Sequence, residues 1–79
     1  MATTQTPKFT REFGSLVQGG TGHTAVLASP GQADLLVQRD DVLGGYSVFR
    51  RGDRDVVSNH RLQGDAKAYA LAAYAIDQA

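Results

Sequence analysis

Seven of the final fifteen residues, Asp65 to Ala79, are alanine. No other feature limits the architecture of this chain more. Alanine has the highest helix propensity, so the stretch reads as one helix. A helix with so little side-chain bulk lies close to whatever it packs on, and the segments before it are patterned as strands. A short α+β domain follows, with little room for a catalytic cavity. Ala66, Tyr69, Ala70, Ala73 and Ile76 or Asp77 form the stripe expected to face the sheet, with Leu71 and Tyr74 beside it. Gly64-Asp65 reads as the cap.

Upstream, His23–Ser29 and Ala33–Arg39 read as two strands joined by the turn residues Ser29-Pro30-Gly31-Gln32. A helix capped by Ser29, with Pro30 at its first position, is the competing reading. A second hairpin has Tyr46–Arg51 and Arg54–Ser58 around Gly52-Asp53, a pair suited to a type II′ turn. That register sets Arg50 opposite Asp55, Phe49 opposite Val56 and Val48 opposite Val57. One sheet face then carries Tyr46, Val48, Arg50, Asp55, Val57 and Asn59. The other carries Phe49, Arg51, Arg54, Val56, Ser58 and His60. Only one face can pack under the helix, so the second is either covered by the N-terminal segment or used as a binding surface.

Residues 1–5 are polar and expected to be disordered. Thr6-Pro7 reads as a helix start, and Phe9, Phe13, Leu16 and Val17 fall on one helical face. Alternation of Phe9, Phe13 and Val17 fits a strand as well. Gly19-Gly20 ends the segment, and the glycines around it read as a flexible linker. The expected fold is a single α+β domain over residues 6–79. It comprises a four-stranded, mostly antiparallel sheet packed by the C-terminal helix, with a short N-terminal helix.

Composition narrows the functional classes. The chain has 79 residues, no cysteine, and eight basic residues against eight acidic ones. Absence of cysteine removes disulfides and zinc–thiolate sites and fits a reducing, cytoplasmic compartment. No apolar run approaches the roughly 20 residues that span a bilayer, and the N-terminus lacks signal-peptide character. Balanced charge argues against direct binding of bare nucleic acid, which draws its affinity from a basic excess. A protein partner is the better expectation.

No motif for a cofactor, metal or catalysis stands up. Gly19-Gly20-Thr21-Gly22-His23-Thr24 lacks both the first glycine and the lysine of a phosphate-binding loop, and a strand follows it. Arg51-Gly52-Asp53 is turn chemistry. His23 and His60 lack companions at ligand spacing. Ser58 and His60 are neighbours on one strand face with no third group to orient them.

The constellation that remains is Phe49, Arg50, Arg51, Arg54 and Arg61, with Tyr46 nearby. Arginine and aromatic residues are enriched at protein-interface hot spots and also serve as phosphate and stacking contacts. Asp40, Asp41, Asp53 and Asp55 are interspersed, and a solvated hairpin laced with weak ion pairs explains the same residues.

Two resemblances bear on this. The order helix–strands–helix, ending in Ala66-Lys67-Ala68, looks like a double-stranded-RNA-binding domain. Of that family's lysine cluster at the start of the last helix this chain has only Lys67, beside Asp65. Its Gly-Pro-X-His loop has no counterpart beyond Gly22-His23. Residues 45–76, with the Tyr46-Ser47-Val48-Phe49-Arg50 hairpin leading into Asp65-Ala66-Lys67-Ala68, resemble small phage-encoded anti-CRISPR proteins. That resemblance implies a non-enzymatic inhibitor in the host bacterial cytoplasm. It would bind a CRISPR effector, here a type I surveillance complex (Cascade), and block recognition of target DNA. Phe49, Arg50, Arg51, Arg54 and Arg61 are the partner-binding residues expected from the chain itself. A nucleic-acid-binding module, or a phage structural or assembly protein that self-associates through a sheet edge as a homodimer, remain the alternatives.

Overall fold

Strand patterning dominates the chain up to residue 60. In the computed structural model, which describes residues 7–13 and 23–79, the elements follow in the order β1 (Thr10–Phe13), β2 (His23–Leu27), β3 (Leu35–Arg39), β4 (Tyr46–Arg50), β5 (Ser58–His60) and α1 (Gln63–Asp77). The sheet is an antiparallel meander in which every strand pairs with its neighbour in sequence. The α+β architecture is as expected, with five strands among the described residues rather than four.

The extra strand corrects the N-terminal helix. Residues Thr10–Phe13 pair with Val26–His23 of β2. Alternation therefore prevails over helical periodicity, because β2 offers an edge to pair with and helix propensity alone is a weak prior. Phe9 packs on the core under α1, where Lys67 Nζ lies 5.4 Å from its ring centroid. The helix–strands–helix order of the double-stranded-RNA-binding resemblance is lost at this point. The remainder of that expected helix (14–18), the polar start (1–5) and the glycine linker (19–22) lie outside the described residues.

The hairpin of β2 and β3 forms at the expected turn, closed by the Gln32 N–H donating to the Ser29 carbonyl at 2.9 Å. The β4–β5 hairpin differs. The Asp53 N–H donates to the Arg50 carbonyl at 2.9 Å, and Gly52 has φ +86°. Glycine thus occupies the second central position of a type II turn rather than the first of a type II′ turn. The Val57 N–H reaches the Val48 carbonyl at 2.7 Å, yet the ladder pairs Val48 with Ser58. Two residues stand opposite one, the signature of a β-bulge. The expected Val48–Val57 pairing survives as this one bond, and the strand beyond it is displaced by one residue. A one-residue slip exchanges the faces. Ser58 and His60 therefore join Tyr46 and Val48, while Asn59 moves to the opposite side. Asp55 does not face Arg50, and Phe49 does not face Val56.

Helix α1 begins at Gln63, two residues ahead of the expected start. Leu62 is its N-cap and supplies no side-chain bond, while Asp65 sits in the first turn, where its charge favours the helix dipole. Ala66 and Ala70 are fully buried against Leu27, Leu35, Val37 and Val48, with Leu71, Ala73 and Tyr74 at the margin. Ile76 points to solvent and Asp77 turns inward, which resolves the alternative at the end of the stripe.

The opposite sheet face is also buried. Val26, Leu36 and Phe49 form a second cluster there, in one cross-strand row with Thr10. The curvature that helps enclose this row follows from Arg51, described next.

Candidate functional site

Of the five residues expected to meet a partner, three are engaged within the fold. Phe49 is only 7% exposed and belongs to the second apolar cluster. Arg50 donates two guanidinium bonds to Asp77, at 2.6 and 2.9 Å, and a third to the Ala33 carbonyl at 3.0 Å. The pair is a fork on a carboxylate and ties the C-terminal end of α1 to β4. Hydrogen bonding to Arg50, then to the Ser29 hydroxyl at 2.7 Å, holds the Asp77 carboxyl below its usual range. The same pairing with Asp77 raises Arg50.

Arg51 donates to Asp34 at 2.9 Å and to Glu12 at 2.8 Å, and these two carboxylates raise its pKa. The Glu12 bond has a geometric cost. β1 and β4 are separated by two strands, and the register sets Glu12 in the row of Ser47, four residues from Arg51. A flat sheet would place the two backbones roughly 19 Å apart, from about 4.8 Å between strands and 3.3 Å per residue. That is more than the two side chains span, so the sheet curls toward Phe49 and Leu36 and away from the helix. Arg51 is thus neutralised across the curled face.

Arg54 and Arg61 remain exposed, with no ion pair among the described residues. The expected cluster is therefore not one surface. Of its two exposed arginines, Arg54 lies within the β4–β5 connection and Arg61 lies past β5, just before α1.

A different surface is built around Asp40. One carboxylate oxygen accepts the N–H groups of Val42 and Leu43 at 2.8 and 2.7 Å, and the other accepts the Ser47 hydroxyl at 2.6 Å. The Ser47 bond, then that from Leu43, depresses the Asp40 pKa against some desolvation. The Asn59 amide donates to the Gly44 carbonyl and to Ser47 Oγ, both at 2.9 Å. Gly45 has φ +64°, and a Cβ there would overlap the His60 carbonyl oxygen and lie 3.2 Å from Arg61 Cα. The β3–β4 loop is thus clamped against the junction of β5 and α1. This end exposes Val42 (86%), Leu43 (60%) and Leu62 (64%), next to Arg61. Sequence reasoning passed over these residues, although an apolar pair between Asp40-Asp41 and Gly44-Gly45 cannot lie within a strand.

No protein-family model, no curated protein and no solved structure matches this chain. Any functional reading therefore rests on its own residues.

Ser58 Oγ and His60 Nε2 lie 2.8 Å apart, and the His60 ring packs 5.4 Å from that of Tyr69. Their i, i+2 spacing makes serine and histidine neighbours on one strand face, but activation of a serine needs an orienting group on the histidine and donors for the oxyanion. Among the described residues neither accompanies the pair. No group of three potential metal ligands occurs among the described residues, and none of their helices is long and apolar enough to cross a membrane.

Proposed function

We propose that this chain is a non-enzymatic binding domain that grips a protein partner with the end of the sheet formed by Val42, Leu43, Arg61 and Leu62. The supporting observation is the combination of exposure with fixation. Three large apolar side chains face solvent on backbone that Asp40, Asn59 and the Gly45 contact hold in place. Preorganised apolar groups lose little freedom on binding, and arginine beside them is typical of interface hot spots. The partner surface complementary to this end is an apolar recess with a carboxylate at its rim for Arg61.

The finer reading follows the anti-CRISPR resemblance. The partner is a type I surveillance complex in the bacterial cytoplasm, and binding keeps that complex from its target DNA. Arg54, which is free, extends the contact, whereas Phe49, Arg50 and Arg51 act indirectly by holding the sheet in shape.

The test is a gel shift of the surveillance complex on its target DNA with increasing protein, beside a control of protein with DNA alone. Loss of the complex–DNA band, reversed by Leu43→Asp and Leu62→Asp, is the expected result. A shift in the control lane would replace this reading with direct nucleic-acid binding, which the exposed Arg39, Arg54 and Arg61 would then carry. An unchanged complex–DNA band at saturating protein would remove the surveillance complex as partner.

A further inference from the structure

The buried face away from α1 carries a polar row that runs across the whole sheet. Glu12 stands opposite Thr24, Gln38 opposite Ser47, and Ser47 opposite Asn59. Continuing the β2–β3 ladder one step past Ala25–Val37 sets Thr24 beside Gln38. Most of the row is satisfied. Ser47 donates to Asp40 and accepts from Asn59, and Glu12 receives Arg51. The middle is not. Thr24 and Gln38 are 0% and 1% exposed, and Thr24 Oγ1 and both amide atoms of Gln38 have no hydrogen-bond partner among the described residues.

Buried polar atoms are almost always paired, and three unmet atoms on adjacent strands would remove a sizeable part of the stability of so small a domain. The occupant's chemistry follows from the atoms on offer. Gln38 presents two donors and an acceptor, and Thr24 presents a hydroxyl that serves as either. A hard cation takes roughly six or more oxygen ligands, of which Thr24 and Gln38 offer two, and Glu12 is already paired with Arg51. An anion would meet the Gln38 carbonyl oxygen as well as its N–H groups. A small neutral molecule that both donates and accepts fits, and water meets both requirements at a site with two to four polar partners.

We propose that Thr24 and Gln38 form an internal hydration site, in which ordered water bridges the Thr24 hydroxyl to the Gln38 amide beneath the curled face of the sheet. The water completes the polar row and lets the sheet keep polar side chains in a buried position without breaking its register.

Water-selective NOE and ROE spectra of the isotope-labelled protein test this directly. The Gln38 side-chain N–H protons should show cross-peaks of opposite sign to water, the mark of a long-lived bound molecule, and Thr24→Val should remove or weaken them. Gln38 protons that see only protein neighbours, or only fast-exchanging water, would overturn the proposal. Thermal unfolding gives an independent reading. Thr24→Val with Gln38→Met should melt at or above the lower of the two single variants, because removing both partners leaves neither unmet. Melting losses that simply add would mean that the two residues share no site, and the proposal would fall.

Discussion

Gly44 and Gly45 are adjacent and share a positive φ, but they differ sharply in what an added side chain would meet, which makes them an informative pair. At Gly44, with φ +83°, an added Cβ meets nothing within 4 Å, whereas at Gly45 it overlaps the His60 carbonyl oxygen and crowds Arg61 Cα. Gly44→Ala therefore carries only the left-handed backbone penalty, about 1–2 kcal/mol, partly offset by about 0.4–1 kcal/mol from the less flexible unfolded chain. A net loss of about 0.5–1 kcal/mol is expected. Gly45→Ala carries the same term and also forces β5 away from the loop. Moving β5 breaks the Tyr46–His60 pairing and both Asn59 bonds, at about 1 kcal/mol for each hydrogen bond, so the loss is about 3 kcal/mol or more. For 79 residues, about 1 kcal/mol corresponds to roughly 6 °C in Tm. Circular dichroism melts should then show Gly44→Ala down by about 3–6 °C and Gly45→Ala by about 18 °C or more. Equal shifts for the two variants would refute the close approach of β5 to the loop, and with it the fixed geometry on which the proposed binding end depends.

Other expectations follow from the same structure. Leu36 is fully buried on the face without a helix, so Leu36→Ala should destabilise by about 2–5 kcal/mol in urea unfolding, like Leu35→Ala under the helix; a loss below about 1 kcal/mol would mean that only one face is a core. Because pairing with Arg50 lowers the folded-state pKa of Asp77, its stabilisation is fully present above the unfolded value of about 3.9 and disappears as pH falls through the folded value. The stability gap between wild type and Asp77→Asn should stay level from neutral pH to about pH 5 and narrow on further acidification, and a gap that widens in acid would contradict the pairing. Arg51→Glu places a third negative charge beside Glu12 and Asp34 and should lose about 1 kcal/mol after allowance for solvent screening, whereas Arg54→Glu should stay within about 0.5 kcal/mol. Equal unfolding midpoints for these two variants would show that the Arg51 network contributes nothing.

The class of fold was legible because its signals are local. Alanine content marked the last helix, Ser29-Pro30-Gly31-Gln32 marked a turn, and alternation marked Tyr46–Arg50. The errors arose where a distant residue decides a local choice. Thr10–Phe13 is a strand because β2 accepts it, although its apolar spacing also suits a helix. The bulge at Val57-Ser58 leaves composition unchanged but exchanges the faces of β5. Arg50 and Arg51 looked available because their carboxylates, Asp77, Asp34 and Glu12, are remote in sequence. Phe49 reads as a partner-binding residue because curling of the sheet cannot be read from one hairpin. The apolar end at Val42, Leu43 and Leu62 is assembled only when the β3–β4 loop meets the start of the helix.

The meander order also bears on how quickly this chain finds its fold. Each ladder closes a short loop, so contact order is low for a sheet protein and the entropic barrier to each pairing is modest. The curl is different, since the bond from Arg51 to Glu12 joins residues 39 apart in the chain. Strand pairing should therefore be largely complete in the transition state, with φ-values high in the β3–β4 hairpin. Glu12, Arg51 and the latch from Asp77 to Arg50 would score near zero. Weakening those late closures should accelerate unfolding and leave the folding rate almost untouched.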